Sequence, residues 1–252
     1  MARPLSAAYA NKSEIYDSAR PSYPQEAILF IQRQLDLSLG LPVLDVGSGT
    51  GILTRQLSAT GMPMIGIEPD ANMLAKAKAN NGQPSANYRS GTAEQLGAAP
   101  CSVAALVCGQ SFHWFEPRKT RAEFQRVLAT NNPVILIWNI RSPDCNVFHR
   151  AYEQLLNDVF ERYAETLQID DALESRIQQF FAGSFEERIF HNSQQLSTSG
   201  LLERTMSCSY AAQPGTHEYR KASQALNILH QQYQQNGLVS LNYQTRVVYG
   251  RI

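Results

Sequence analysis

Charge of one sign is what this sequence lacks first. Lysine plus arginine and aspartate plus glutamate each number 22 in 252 residues, so no general field draws the chain to a nucleic-acid backbone or an acidic membrane surface. Long apolar runs are missing as well: no stretch approaches the roughly 18 residues of a membrane span. The opening MARPLSAAYANKSEIYDSARPSYP sets Lys12, Glu14 and Asp17 where a secretory leader needs an unbroken apolar core. The expectation is a soluble, cytoplasmic protein with neither a nucleic-acid nor a membrane partner. Cys101, Cys108, Cys145 and Cys208 form no C-x-x-C pair, which argues against a disulfide framework. His149, His191, His217 and His230 are dispersed, without the carboxylate-histidine spacing of a metal centre, and no metal is expected. Internal repeats, low-complexity blocks and long linkers are also absent.

What is present is an alternating rhythm. After Pro21 and Pro24, QEAILFIQRQL carries Ala27, Ile28, Ile31 and Leu35 at helical spacing. Residues 41–46, 62–68, 86–90, 103–109 and 133–139 then read as strands, with helices expected over 50–60, 70–80 and 119–129. Apolar strands separated by helices predict a mostly parallel sheet covered on both faces, which is an α/β fold. From about 142 to 203 the strand rhythm stops, and NVFHRAYEQLLNDVFERYAETL has helical periodicity rich in Phe, Tyr and Leu. This segment is expected to be a helical insertion or lid. Beyond it, 203–210 reads as a strand, 216–235 as a helix and 240–252 as a closing strand, the two strands pairing at the sheet edge. The length suits a single domain, with an N-terminal helical element over about 1–40.

The stretch VLDVGSGTGILT, residues 43–54, runs a strand into three glycines spaced by single residues. Glycine lets backbone approach a ligand closely and tolerates positive φ. A dinucleotide fingerprint requires G-x-G-x-x-G, but Ile52 stands where its third glycine belongs. Nor is it a phosphate-binding P-loop, since no lysine follows the glycines. The next strand ends in IGIEPD with Glu68 at its tip, 23 positions beyond Asp45. A carboxylate there can accept both hydroxyls of a ribose. Asp45 is a second acid on the same crevice, repelling a pyrophosphate and attracting an ammonium. The pair favours S-adenosylmethionine over a dinucleotide.

VLDVGSGTGILT, IGIEPDANML, YRSGTAEQL and CGQSFHWF, in this order and spacing, resemble the successive motifs of class I S-adenosylmethionine-dependent methyltransferases. RPSYP, QSFHWF, RVL, WNIR and the ending RVVYGRI further resemble the type 11 small-molecule group that includes trans-aconitate methyltransferase-like proteins. The resemblance implies a Rossmann-like seven-stranded sheet and a small-molecule methyl acceptor, with a carboxylic acid among the candidates. It implies that Gly47, Gly49 and Gly51 line the methionine portion of the cofactor, with Asp45 near its amino group and Glu68 on its ribose. Pro69 and Met73 would flank the adenine, Thr92 and Ala93 would meet its edge, and Gln110 would touch the methionine and face the acceptor. Thr92 replaces an acid common at that place; Ala104 and ATNNP (129–133) depart from the family in structural positions.

Methyl transfer is an in-line displacement at a sulfonium carbon, so alignment dominates and a base serves only a weakly acidic acceptor. His113 is the candidate base or acceptor contact, against the plainer reading that it packs a loop with Trp114. Arg141 is a candidate carboxylate clamp, against a surface ion pair. Arg20 and Tyr23, in RPSYP, are candidate cofactor contacts, and Tyr16 is a weaker one. Trp138 and the aromatic residues Phe148, Tyr152, Phe160, Phe180 and Phe181 read as packing before recognition. Two alternatives stay open: a protein that binds S-adenosylmethionine without turnover, and an NAD-dependent oxidoreductase.

Overall fold

The computed structural model describes residues 17, 19–129, 131–142, 144–163 and 171–252. Residues 1–16 and 18 of the N-terminal element, Tyr16 among them, lie outside them. Helix α1 (Gln25–Gln34) follows Pro24 and buries Ala27, Ile28 and Ile31, the face expected from their spacing. Then come β1 (Val43–Val46), α2 (Ile52–Ser58), β2 (Met64–Ile67), α3 (Ala71–Ala79), β3 (Ala86–Arg89), β4 (Ala105–Gly109), α4 (Pro117–Val127) and β5 (Val134–Arg141). Each lies within three residues of its expected bounds. Helix starts have identifiable causes: the Asp70 carboxylate accepts from the N–H groups of Asn72 and Met73, and Glu116 accepts from those of Arg118 and Lys119, with Pro117 at the first helical position.

The later elements are α5 (Val147–Val159), α6 (Asp171–Phe180), β6 (Glu186–Leu196), α7 (Thr198–Met206), α8 (His217–Tyr233) and β7 (Val239–Gly250). The seven strands form one sheet in the order β3-β2-β1-β4-β5-β7-β6, and the pairings of β1 with β2 and β4, β2 with β3, and β4 with β5 are all parallel. This is the Rossmann-like, mostly parallel sheet that the alternation implied.

Two expectations fail at the sheet edge. Residues 203–210 are not a strand: Ser197 caps α7 by accepting from the Gly200 N–H, and the helix runs to Met206, burying Leu201, Thr205 and Met206. Packing of that face against a hydrophobic cluster overrides the strand-like composition of TMSCSY. The strand is instead 186–196, inside the segment expected to be helical throughout. It is the outermost strand and exposed along most of its length, so it shows none of the apolar alternation by which strands are recognised.

The chain forms two compact units. The larger comprises Ser22–Asn139, Ile169–Phe190 and Thr245–Ile252; the smaller comprises the described residues within Met1–Pro21, Ile140–Gln168 and His191–Gln244. The segment 142–203 is thus divided, with 169–190 in the larger unit. The larger unit's core joins Ile28 and Ile31 of α1 to Leu53, Leu57, Met64, Val107 and Ile135, most of them without solvent contact. Each such side chain contributes about 1.5–3 kcal/mol by leaving water. In the smaller unit Tyr152 and Leu156 of α5, Leu201 of α7, Leu226 of α8 and Leu241 of β7 form a separate core. No helix among the described residues is long and apolar enough to cross a membrane.

Candidate cofactor site

The glycine turn closes over the end of β2. The N–H groups of Gly47 and Ser48 donate to Ile67 O at 2.8 and 3.1 Å, and Gly47, Gly49 and Gly51 take φ of 71°, 56° and 85°. The three glycines serve different ends. A Cβ on Gly47 would lie 2.6 Å from Ser111 Cβ, and one on Gly51 would collide with the Tyr88 ring, so both are required by packing. Gly49 has nothing within 4 Å of that position. Its bare backbone faces open space, and it alone forms a cradle that a side chain would fill.

Two buried carboxylates lie at the adjoining strand ends, and one of them, Glu68, holds Gly49. Glu68, 5 % exposed, accepts from the Gly49 N–H through Oε2 at 2.8 Å and from the Asp70 N–H through Oε1 at 2.9 Å. Burial pushes its carboxyl up, opposed by these two hydrogen bonds. A carboxylate oxygen has two lone pairs, so each oxygen can accept a further hydroxyl. Asp45, 1 % exposed, accepts from Thr54 Oγ1 at 2.6 Å. Its carboxyl is pushed up to about 7 by burial first, with the negative charge of Glu68 adding to the effect. A cation placed beside it would favour the ionised form.

Gln110 ends β4 with φ 55°, a strained conformation for a residue with a Cβ. Its N–H donates to Ile137 O at 2.9 Å and its Nε2 to Asn139 O at 3.1 Å, which leaves Oε1 buried without a hydrogen bond. Ser111 Oγ donates to Val46 O at 2.7 Å and ties this turn to the end of β1. Tyr23 is buried, its backbone exchanging two hydrogen bonds with the Gln56 side chain, and a Cβ on Gly109 would meet its hydroxyl at 2.8 Å. Pro69 is exposed and Met73 buried at the start of α3, while Thr92 and Ala93 follow β3, Thr92 exchanging two backbone hydrogen bonds with Gln95. The expected contacts within the larger unit therefore sit at the carboxyl ends of β1–β4, where open α/β sheets bind ligands.

His113 lies in a short 3-10 turn, Phe112–Trp114, with its ring centroid 4.9 Å from that of Trp114. Burial, with the Arg176 charge adding, lowers it to about 4, and Nδ1 is buried without a hydrogen bond. It is a neutral imidazole at ordinary pH. Arg176 of α6 donates Nη1 to His113 O at 3.0 Å and Nη2 to Phe115 O, pinning the turn from outside the βα rhythm. Trp138 is fully buried. The remaining two candidates belong to the smaller unit. Arg20 donates Nη2 to Ser207 O at 3.1 Å. Arg141 is paired with Glu153 at 3.3 Å, donates to Tyr163 Oη, and lies over the rings of Tyr152 and Tyr163 at 5.4 and 5.5 Å from their centroids.

Sequence reasoning missed Thr54, Ser111, Arg176 and Arg204. Thr54 and Ser111 stand within the quoted motifs but bear on the site only through folding, and the two arginines carry no local signal.

The site's composition fits S-adenosylmethionine: an open glycine backbone, a carboxylate able to accept a diol, a second acid suited to an ammonium, and, among the described residues that form the glycine turn and its acids, no cation for a pyrophosphate. Comparison with known proteins agrees. Residues 44–136 match the family model described as "Methyltransferase domain". An uncharacterized methyltransferase of Mycobacterium tuberculosis is 34% identical over 139 residues, 55% of either chain. One of Schizosaccharomyces pombe is 32% identical over 127 residues, 50% of either chain. The chain's match thus spans about half the length of these curated relatives. Among solved structures, one from Anaeromyxobacter dehalogenans assigned as a type II methyltransferase superposes with a TM-score of 0.64 at 18% identity, covering 92% of this chain and 97% of that one. Another, from Anabaena variabilis, assigned as a methyltransferase of an antibiotic biosynthesis pathway, gives 0.62 at 17% over 94% and 100%. At such identities the likeness is one of fold.

Proposed function

We propose that the protein transfers a methyl group from S-adenosylmethionine to a small-molecule acceptor. The observation that carries this reading is the open backbone of Gly49, whose N–H is held by a buried Glu68 at the neighbouring strand end. The cofactor supplies an electrophilic methyl on a sulfonium sulfur. The chain's own residues bind and align. Glu68 receives the ribose hydroxyls, Asp45 balances the amino group, Gly47, Gly49 and Gly51 admit the methionine portion, and Pro69, Met73, Thr92 and Ala93 bound the adenine. Gln110, with an oxygen awaiting a donor, orients the methionine and faces the acceptor; Tyr23 contributes from the RPSYP element.

Positioning supplies most of the acceleration expected of a displacement of this kind. His113 is neutral and accepts a proton or a hydrogen bond from an acceptor hydroxyl, a weak base at about 4. A carboxylic acid, ionised at neutral pH, needs no base at all, and Arg141 suits its recognition. We place the reaction in the cytoplasm and the acceptor among small carboxylic acids of the kind handled by trans-aconitate methyltransferase-like enzymes.

Calorimetric titration with S-adenosylmethionine, S-adenosylhomocysteine and NAD, followed by a product screen of small carboxylic acids, tests the reading. Binding of both sulfur ligands and not NAD is expected. NAD binding without sulfur-ligand binding would overturn it, and sulfur-ligand binding without turnover on any acid would favour a sensor.

A further inference from the structure

The smaller unit buries guanidinium charge in a way that neither its packing nor the cofactor explains. Arg204 of α7 is 6 % exposed. Its Nε donates to Tyr243 Oη at 3.0 Å, its Nη1 donates to Cys208 Sγ at 3.0 Å, and its guanidinium lies 5.8 Å from the centroid of the Tyr243 ring. Neither hydrogen-bond partner is a carboxylate. The acid nearby, Glu153, is engaged by Arg141 and by the Tyr163 hydroxyl. Arg20 donates to the carbonyl of Ser207, the residue before Cys208. Burial pushes the Cys208 thiol up, yet the charges of Arg20 and Arg204, a hydrogen bond with Tyr210 and the charge of Arg141 bring it down to about 6, so at neutral pH its sulfur is the anion that partners Arg204. A buried guanidinium is costly unless an anion answers it, and a thiolate, a single large acceptor atom, matches the planar guanidinium fork less well than an oxyanion does.

An open cavity of about 900 Å³ is lined by Arg141, Tyr243, His191, Asn192 and Asn242 and, on its exposed side, by Asp144; Arg204 and Cys208 do not line it but adjoin it through Tyr243. Its size suits a metabolite. Tyr243 belongs to both features, since it lines the cavity while its hydroxyl holds Arg204 and donates to Gln194 Oε1 at 2.7 Å. Arg141 likewise lines the cavity.

We propose that Arg204, Arg141 and Tyr243 form an oxyanion-binding site, in which a carboxylate or phosphate group of a small ligand replaces the Cys208 sulfur as the partner of Arg204. Calling that ligand the methyl acceptor rests on the methyl-transfer reading, whereas the site does not. A guanidinium offers parallel N–H donors to either oxyanion, so the chemistry is shared by both sources.

Citrate and inorganic diphosphate are the probes, each titrated into the 252-residue chain at ionic strength matched with sodium chloride. Alkylation of Cys208 by iodoacetamide is followed in parallel by peptide mass spectrometry. One probe is expected to bind saturably, to slow Cys208 alkylation, and to lose about tenfold or more in affinity in Arg204→Met, as removal of a charged hydrogen-bond donor requires. The better probe identifies the source as carboxylate or phosphate. Should Arg204→Met not fold by circular dichroism, Tyr243→Phe and Arg141→Lys replace it, each expected to weaken binding several-fold. Binding of neither probe above chloride, or binding indifferent to Arg204→Met, Tyr243→Phe and Arg141→Lys, overturns the proposal. Titration of the same sample with S-adenosylhomocysteine separates the two readings: its binding without probe binding removes only the anion site, and probe binding without it removes only methyl transfer.

Discussion

The two units bury ionisable groups of opposite sign. Around the glycine turn of the larger unit the buried charges are acids, Asp45 and Glu68, answered by backbone N–H groups and a threonine hydroxyl. In the smaller unit they are arginines: Arg141, answered by Glu153 and tyrosines, and Arg204, answered by the Tyr243 hydroxyl and the Cys208 sulfur. A ligand carrying sulfonium and ammonium charge suits the first environment and repels the second; an oxyanion does the reverse. The difference teaches that one chain can build environments of opposite preference by the sign of the groups it buries, because at low dielectric such preferences are strong.

The sharpest way to break this contrast is Gly49→Val. Its Cβ would enter the open cradle at a φ of 56°, which β-branched residues resist. Affinity for S-adenosylhomocysteine is expected to fall at least a thousandfold, about 4 kcal/mol, in calorimetry; unchanged affinity would mean the cradle is misplaced. Leu156→Ala sharpens the comparison from the other side. Leu156 is fully buried in the smaller unit's core, and the cavity left should cost about 3 kcal/mol in denaturant unfolding. S-adenosylhomocysteine affinity should nevertheless stay within about twofold at 25 °C in water, and a larger loss would show that the cofactor is not held by the larger unit alone.

Glu68→Ala removes the proposed ribose acceptor and is expected to weaken the same ligand about a hundredfold, two charged hydrogen bonds at about 1.5 kcal/mol each. Asp45 offers a pH test. Its folded-state value of about 7 stands above the ordinary 3.8, so the folded protein holds a proton that the unfolded chain releases. Stability contributed by this group is therefore full at low pH, declines as pH rises from about 4 to about 7, and levels off above. The slope in that window is at most about 1.4 kcal/mol per pH unit. Urea unfolding at pH 5 and 7.5 should show a smaller fall in Asp45→Asn than in the parent; equal falls would place the proton elsewhere. The mildest effect expected is that of His113→Gln, about tenfold in kcat for a hydroxyl acceptor and none for a carboxylate, given the modest driving force of so weak a base.

Much of the larger unit was legible because parallel strands buried on both faces must be apolar throughout. Val43–Val46 and Ala105–Gly109 could be read as strands for that reason, and a G-x-G-x-G turn between strand and helix has few uses. The edge of the sheet was not legible. Glu186–Leu196 pairs on one side and meets water on the rest, so EERIFHNSQQL carries no period of two, and ERTMSCSY, which does look like a strand, is drawn into a capped helix by the core it covers.

The sequence by itself determined the α/β alternation, the glycine turn and the acid at the end of the second strand, since each follows from local periodicity or from a residue type at a fixed offset. Only the tertiary structure decided that Gly49 faces open space while Gly47 and Gly51 are packed, that Arg176 pins the turn bearing His113, and that Arg204 shares a buried neighbourhood with Cys208 and Tyr243. Those relations depend on which side chains meet across distant segments. Burial, which sets both their hydrogen bonds and their charge preferences, exists only once the chain has folded.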